Sequence, residues 1–308
     1  MRDGTLVFSD SLGFYSAVSN EKKIHEFKLE VGVKLACKTF GTAGAPVLIL
    51  HGLLGQADNW TTVAKALAED HVVHCLDQRN HGRSPHADKM SYADMAADVC
   101  EFVDDRELDT VVLLGHSMGG KTAMQVAADC PCRVARLIVV DIAPRAYPIR
   151  HRKAIEAMQA VNPADFATRG EVERALAEYI PLPVLRRFLL KNVVARPDGG
   201  LVWTVNVPAI ANAYEAIMGE VPAEWGFDGP TLFVRGGKSD YLADADVPVL
   251  EQRFPRAEFV TISGAGHWVH AEAPEAFLNA VRRFADAESP EASGSNATPG
   301  LDTVAQTL

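Results

Sequence analysis

The chain has 308 residues, of which 48% are hydrophobic, with a mean hydropathy near zero and a formal net charge of −10. That composition suits a soluble globular protein able to bury a sizeable core, while the acidic balance offers no basic excess for nucleic-acid phosphates. No apolar run approaches ~20 residues, so no membrane span is expected, and the expected partner is a small molecule.

Residues 1–24 lack clear periodicity and read as an N-terminal extension. Asp3, Asp10 and a lone Arg2 make a poor transit peptide; the expected location is cytoplasmic, with a mitochondrial one left open. His25–Val31 and Val33–Phe40 alternate apolar and polar residues, as in a half-exposed antiparallel hairpin. Pro46–Leu50 and Val72–Leu76 read as buried strands, Trp60–Glu69 and Tyr92–Val103 as amphipathic helices. Val111–Leu114 and Arg136–Asp141 are further buried strands, separated by a helix that reads from Thr122 to about Asp129.

Strand and helix thus alternate, which implies a mostly parallel sheet flanked by helices, an α/β fold with its ligand site at the carboxyl ends of the strands. His51, Asp77, Ser117 and Asp141 fall at or just past such ends. Between residues 144 and 224 the rhythm turns helical, with patterns at Ala154–Val161, Glu171–Tyr179, Val184–Leu190 and Pro208–Met218. This reads as a helical cap inserted after the sixth strand. The core is therefore expected over 25–143 and 225–288, with strands at Thr231–Gly237 and Glu258–Ile262. Residues 289–308 are rich in Ser, Pro, Gly, Ala and Thr and read as a disordered tail.

The chemistry centres on Gly115-His116-Ser117-Met118-Gly119, a G-x-S-x-G match between a strand and a helix. Such a turn exposes a strained serine hydroxyl and frees the next backbone N–H for an oxyanion. The same residues also spell Gly115-x-x-x-x-Gly120-Lys121-Thr122, the pattern of a phosphate-binding loop. A nucleophilic hydrolase and a phosphate-loop NTPase are therefore both on the table. A hydrolase needs a base and an acid in the order Ser…Asp…His, and His267, in Gly264-x-Gly266-His267 after a strand, meets that order. The acid stays open between Asp141 and Asp240, both of which follow strands. The Leu53 and Met118 amides are the expected oxyanion donors.

Further expectations concern the substrate. Arg145, Arg150, Arg152 and Lys153 cluster where the cap begins, and Arg150 and Arg152 would form a positive rim for anionic acyl carriers such as coenzyme A thioesters. Trp203, Tyr214 and Trp268 are candidate substrate-binding aromatics, and Trp203 and Tyr214, like Phe188, Leu189 and Ile217, fit either an apolar acyl pocket or the cap's own core. His267-x-x-His270 is not a zinc motif, and Cys37, Cys75, Cys100, Cys130 and Cys132 form no C-x-x-C pair, so no metal is expected and the cysteines read as thiols.

His51–Trp60, Asp77–His86, Gly115–Met124, Val140–Pro144 and Gly264–Glu272 together resemble the bacterial YbfF-type esterases and their eukaryotic relative ABHD11, within the α/β-hydrolase superfamily. The resemblance covers roughly residues 27–287. It implies a carboxylesterase or acyl thioesterase with a Ser-His-Asp triad, a helical cap and no cofactor, and it points to Asp141 as the acid. The alternatives are the NTPase and a ligand receptor of the same fold without significant turnover.

Overall fold

The computed structural model describes residues 32–148, 150–222 and 224–287. The expected extension (1–24), the first hairpin strand (25–31) and the tail (289–308) lie outside the described residues.

A seven-stranded sheet is built from β1 (Cys37–Phe40), β2 (Pro46–Leu50), β3 (Val72–Leu76), β4 (Val111–His116), β5 (Val134–Val140), β8 (Thr231–Gly236) and β9 (Ala257–Ile262). Its order is β1-β3-β2-β4-β5-β8-β9; β1 pairs antiparallel with β3 and every other pairing is parallel. The expected strand over Val33–Phe40 is shorter than its alternation suggests. Side chains take the place of the ladder before Cys37: Val33 N–H donates to Asp98 Oδ1 and Ala36 N–H to Ser84 Oγ.

Because successive residues of a strand face opposite ways, the parallel strands feed two cores. Val47, Ile49, Val112, Leu114, Ile138, Val140, Leu232 and Val234 pack with α1 (Thr61–Leu67) and α10 (Pro274–Ala285), around Trp60, Phe277 and Phe284. Leu48, Leu50, Leu113, Leu137, Val139 and Phe233 face the other way, against α2 (Tyr92–Asp105), α3 (Met118–Asp129) and Leu250 of α8 (Val247–Arg253). A continuous apolar run therefore marks a strand covered on both faces. A short α9 (Val269–Glu272) follows β9.

Between β5 and β8 lie α4 (Arg152–Ala160), α5 (Arg169–Ala177), α6 (Pro183–Leu190), α7 (Val207–Met218) and a ribbon of β6 (Val193–Ala195) and β7 (Leu201–Trp203), which is separate from the main sheet. Asn206 caps α7 through its side chain, and Thr168 caps α5 likewise while its own N–H donates to the Glu171 carboxylate, so local sequence sets both starts. The two ends of this cap segment are tied together, Tyr147 N–H to Met218 O and Val221 N–H to Pro144 O, both at 2.8 Å. The cap follows the fifth described strand; the strand expected before those lies among the undescribed residues.

Candidate active site

Strand β4 and helix α3 meet at an unusually close turn, and its glycines are the reason. A Cβ on Gly115 would lie 2.1 Å from the Gly119 carbonyl oxygen, and one on Gly119 would lie 2.4 Å from Leu50 O. Neither position admits a side chain, so the chain can double back sharply. Ser117 at the apex has φ 55° and ψ −120°, a strained backbone held by Ser117 N–H to Val140 O at 3.0 Å. Helix α3 starts at Met118, four residues earlier than its apolar spacing suggests, because Gly119 and Gly120 lie inside its first turn.

Two distant segments reach this hydroxyl. His267, after β9, places Nε2 3.1 Å from Ser117 Oγ, and its Nδ1 lies 2.7 Å from Asp141 Oδ2. With Nδ1 donating to the carboxylate, Nε2 is left as acceptor for the serine proton. Asp141, at the end of β5, is fully buried. Its carboxylate also accepts from the Gly236 N–H at 3.0 Å and from the Ser239 hydroxyl. Sequence reasoning missed Ser239, whose only signal was its place beside Asp240 after β8.

Asp240, the other candidate acid, is corrected by its surroundings. Its side chain is 71% exposed and grips Arg150 through two bonds of 2.5 and 2.8 Å, which hold its carboxyl below the usual range. It makes no bond to His267. A carboxylate in water with a guanidinium across it cannot orient the imidazole.

The imidazole is also held by groups other than Ser117 and Asp141. Tyr241 stacks on it with ring centroids 3.8 Å apart, and buried His116 places Nε2 2.9 Å from the His267 carbonyl oxygen. His116 is held well below the ordinary histidine range, chiefly by burial, so it serves as a neutral donor. Behind it, His270 stacks on Trp60 at 4.0 Å.

The loop His51–Gly55 runs beside the serine, where a Cβ on Gly52 would touch Ser117 Cβ at 3.2 Å. Leu54 takes φ 60°, with its N–H donating to His81 Nε2 and its carbonyl accepting from Asn192 of the cap. His51 donates from Nδ1 to Gly52 O and accepts the Gln78 N–H at Nε2. Burial pushes His51 down and His81 to about 3, so both are neutral props of this loop.

One cavity opens at the hydroxyl, lined by Leu53, Ser117, Met118 and Ile142 of the core, Tyr147, His151, Ile217 and Met218 of the cap, and Tyr92, Lys121 and Tyr241. Of the residues expected to meet substrate, Ile217 is at its wall, whereas Trp203, Tyr214, Trp268, Arg150 and Arg152 are not among its lining residues. Trp203 Nε1–H donates to Val161 O, and the Tyr214 hydroxyl accepts from the His151 N–H, so both brace the cap. Trp268 sits against Phe188, Arg150 is occupied by Asp240, and Arg152 is exposed at the start of α4. Tyr92, Tyr147 and Lys121 also line it; nothing in the sequence marks the two tyrosines as pocket residues, and Lys121 stands out there only as part of the phosphate-loop pattern.

Lys121 also removes the phosphate-loop reading of Gly115–Thr122. It is 1% exposed, its ammonium donates to Arg145 O and Gly219 O, and Thr122 Oγ1 donates to Met118 O. Burial and the Arg145 charge lower Lys121 to about 7. A phosphate loop requires an open nest of amides, and here those amides belong to a tight helical turn. Among the described residues no group of His, Cys, Asp or Glu could hold a metal ion, and no helix is long and apolar enough to cross a membrane.

Residues 47–280 match the model of the alpha/beta hydrolase family. Esterase YbfF of Escherichia coli is 38% identical over 243 residues, covering 78% of this chain and 92% of that protein. The sn-1-specific diacylglycerol lipase ABHD11 of Xenopus laevis is 39% identical over 251 residues, 79% of this chain and 80% of that one. Among solved structures, a marine microorganism esterase superposes with a TM-score of 0.80 at 43% identity, covering 82% of this chain and all of that one.

Proposed function

Because this chain belongs to the alpha/beta hydrolase family, an ester hydrolase by its relatives, we propose that it cleaves small acyl esters through an acyl-enzyme on Ser117. The observation that carries the reading is the hydrogen-bonded line from Ser117 Oγ through His267 to buried Asp141. Ser117 Oγ attacks the ester carbonyl carbon as its proton passes to His267 Nε2. Asp141 stabilises the resulting imidazolium and keeps its orientation. The oxyanion forms against the Leu53 and Met118 amides, both at the cavity wall. Collapse breaks the ester bond, and the imidazolium protonates the departing alcohol or thiol. Water, deprotonated by His267, then frees the acid and Ser117.

Leu53, Met118, Ile142, Ile217 and Met218 give the acyl group an apolar bed. Oxygen esters are favoured over coenzyme A thioesters by the fate of the basic rim: Arg150 holds Asp240 and Arg145 holds Asp246, leaving less positive charge to attract an anionic carrier. Fluorophosphonate should label Ser117 and nothing in Ser117→Ala, and the wild type should turn over p-nitrophenyl butyrate. Labelling without turnover of any ester or acyl-CoA across a chain-length series would favour a receptor instead. An unlabelled Ser117 would remove the nucleophile.

A further inference from the structure

Helices α2 and α3 pack side by side, and where they meet at the end of α3 two thiols face each other. Cys100 lies within α2, and Cys130 caps the C-terminus of α3. Their sulfurs are 2.7 Å apart, with Cys100 donating to Cys130. A disulfide needs about 2.05 Å between sulfurs, so a small side-chain rotation completes the approach. The backbone around Cys130 is already fixed, its N–H to Val126 O at 2.8 Å and its carbonyl to Arg133 N–H at 2.9 Å. Both residues are only partly buried, so a small reagent can reach them.

We propose that Cys100 and Cys130 form a reversible disulfide when the protein meets a small-molecule disulfide, making this helix pair a thiol-modification site separate from the catalytic cavity. Cys130 attacks first, since the hydrogen bond from Cys100 favours its thiolate. The thiolate breaks the reagent's S–S bond, releasing one equivalent of thiol and leaving a mixed disulfide on Cys130. Cys100, deprotonated, then attacks the Cys130 sulfur and expels the second equivalent. Two protein thiols are oxidised and one disulfide is reduced to two thiols. Asp104 and Asp129 flank the pair and raise the cost of a thiolate there, which favours a cationic reagent over an anionic one.

The bond would close a loop of 30 residues that contains β4, Ser117 and α3. It therefore restrains the unfolded chain around the whole nucleophile turn. The test treats the full-length native protein with cystamine and maps its peptides without reduction. The expected result is a Cys100–Cys130 cross-link, unaffected by Cys132→Ser, with a melting temperature raised by roughly 5 °C and returned by dithiothreitol. In Cys100→Ala, Cys130 should instead retain a cysteamine adduct, with no rise in melting temperature. Pairing of Cys130 with Cys132, a stable adduct on wild-type Cys130, or cross-linking only in denaturant would each overturn the proposal. None of these readings involves ester turnover, so they stand apart from the fate of Ser117.

Discussion

The ammonium of Lys121, in the first turn of the helix that follows Ser117, donates to the carbonyl of Gly219 at the far end of the cap. Its second bond, 2.9 Å to Arg145 O, reaches the near end. One buried side chain thus fastens both ends of the cap to helix α3, and it does so beside the cavity at Ser117.

That position has a pH signature. Burial lowers Lys121 from its ordinary 10.5 to about 7, so between those values the unfolded chain binds the extra proton. Stability must then rise with pH through that window, because the cost of a buried charge is present below pH 7 and vanishes above 10.5. The melting temperature of the wild type relative to Lys121→Met should climb from pH 7 to pH 10, by the equivalent of a few kcal/mol. A constant difference would mean that the two carbonyls keep the amine charged throughout.

The choice of acid gives a sharper test. Asp141→Asn should lower kcat by about 10⁴-fold with the fold retained, since an amide cannot hold the productive tautomer of His267. Asp240→Asn should stay within about two-fold of wild type, because its exposed pair with Arg150 is worth little. Rates for p-nitrophenyl butyrate and circular dichroism check both. The opposite ranking would sink the assignment of Asp141.

Why sequence left that choice open is instructive. Both aspartates follow strands, and both precede His267 in the chain. What separates them is the parallel pairing of β5 with β8, which brings the Gly236 N–H and the Ser239 hydroxyl onto Asp141. No local pattern encodes that. Ser117, His267 and the alternating core were legible because each depends on short-range signals: glycines that permit a tight turn, and apolar runs bounded by them. The cavity wall was legible only in part, at Leu53, Met118 and Ile217. Trp203 and Tyr214 have the size and polarity of pocket residues, yet their polar atoms are consumed inside the cap, while Tyr92 arrives from α2 with its hydroxyl donating to Ile217 O. Composition cannot tell the inner wall of a cap from its core.

The buried histidines predict acid sensitivity. Burial pushes His81 and His270 to about 3 and His151 to about 4. Their ordinary value is 6.5, so below it the unfolded state takes up protons that the folded state refuses. Stability contributed by their neutrality is full above pH 6.5 and drains as pH falls toward 3–4. Each contributes about 1.4 kcal/mol per pH unit within that range. His270→Phe keeps a ring against Trp60 and removes one such proton, so urea denaturation between pH 4.5 and 6 should show a slope smaller by that amount. An unchanged slope would place the His270 proton elsewhere.

Glycine substitutions separate the two uses of that residue in this chain. At Gly115 a methyl group would lie 2.1 Å from the Gly119 carbonyl and 2.7 Å from Gly120 N, all of it backbone that cannot move aside. Gly115→Ala must therefore push β4 away from α3, displacing Ser117 relative to His267. We expect a loss of about 3 kcal/mol or more in stability and of most esterase activity. At Gly170, in the first turn of α5, the nearest atoms to a new Cβ are 3.9 Å away, and one of them is the end of the flexible Arg174 side chain. Here glycine only costs backbone entropy, so Gly170→Ala should stabilise by about 0.5–1 kcal/mol and leave kcat unchanged. Urea midpoints and p-nitrophenyl butyrate rates on the two variants measure both effects. If Gly115→Ala kept full activity, the close crossing of strand and helix would not be what aims the serine.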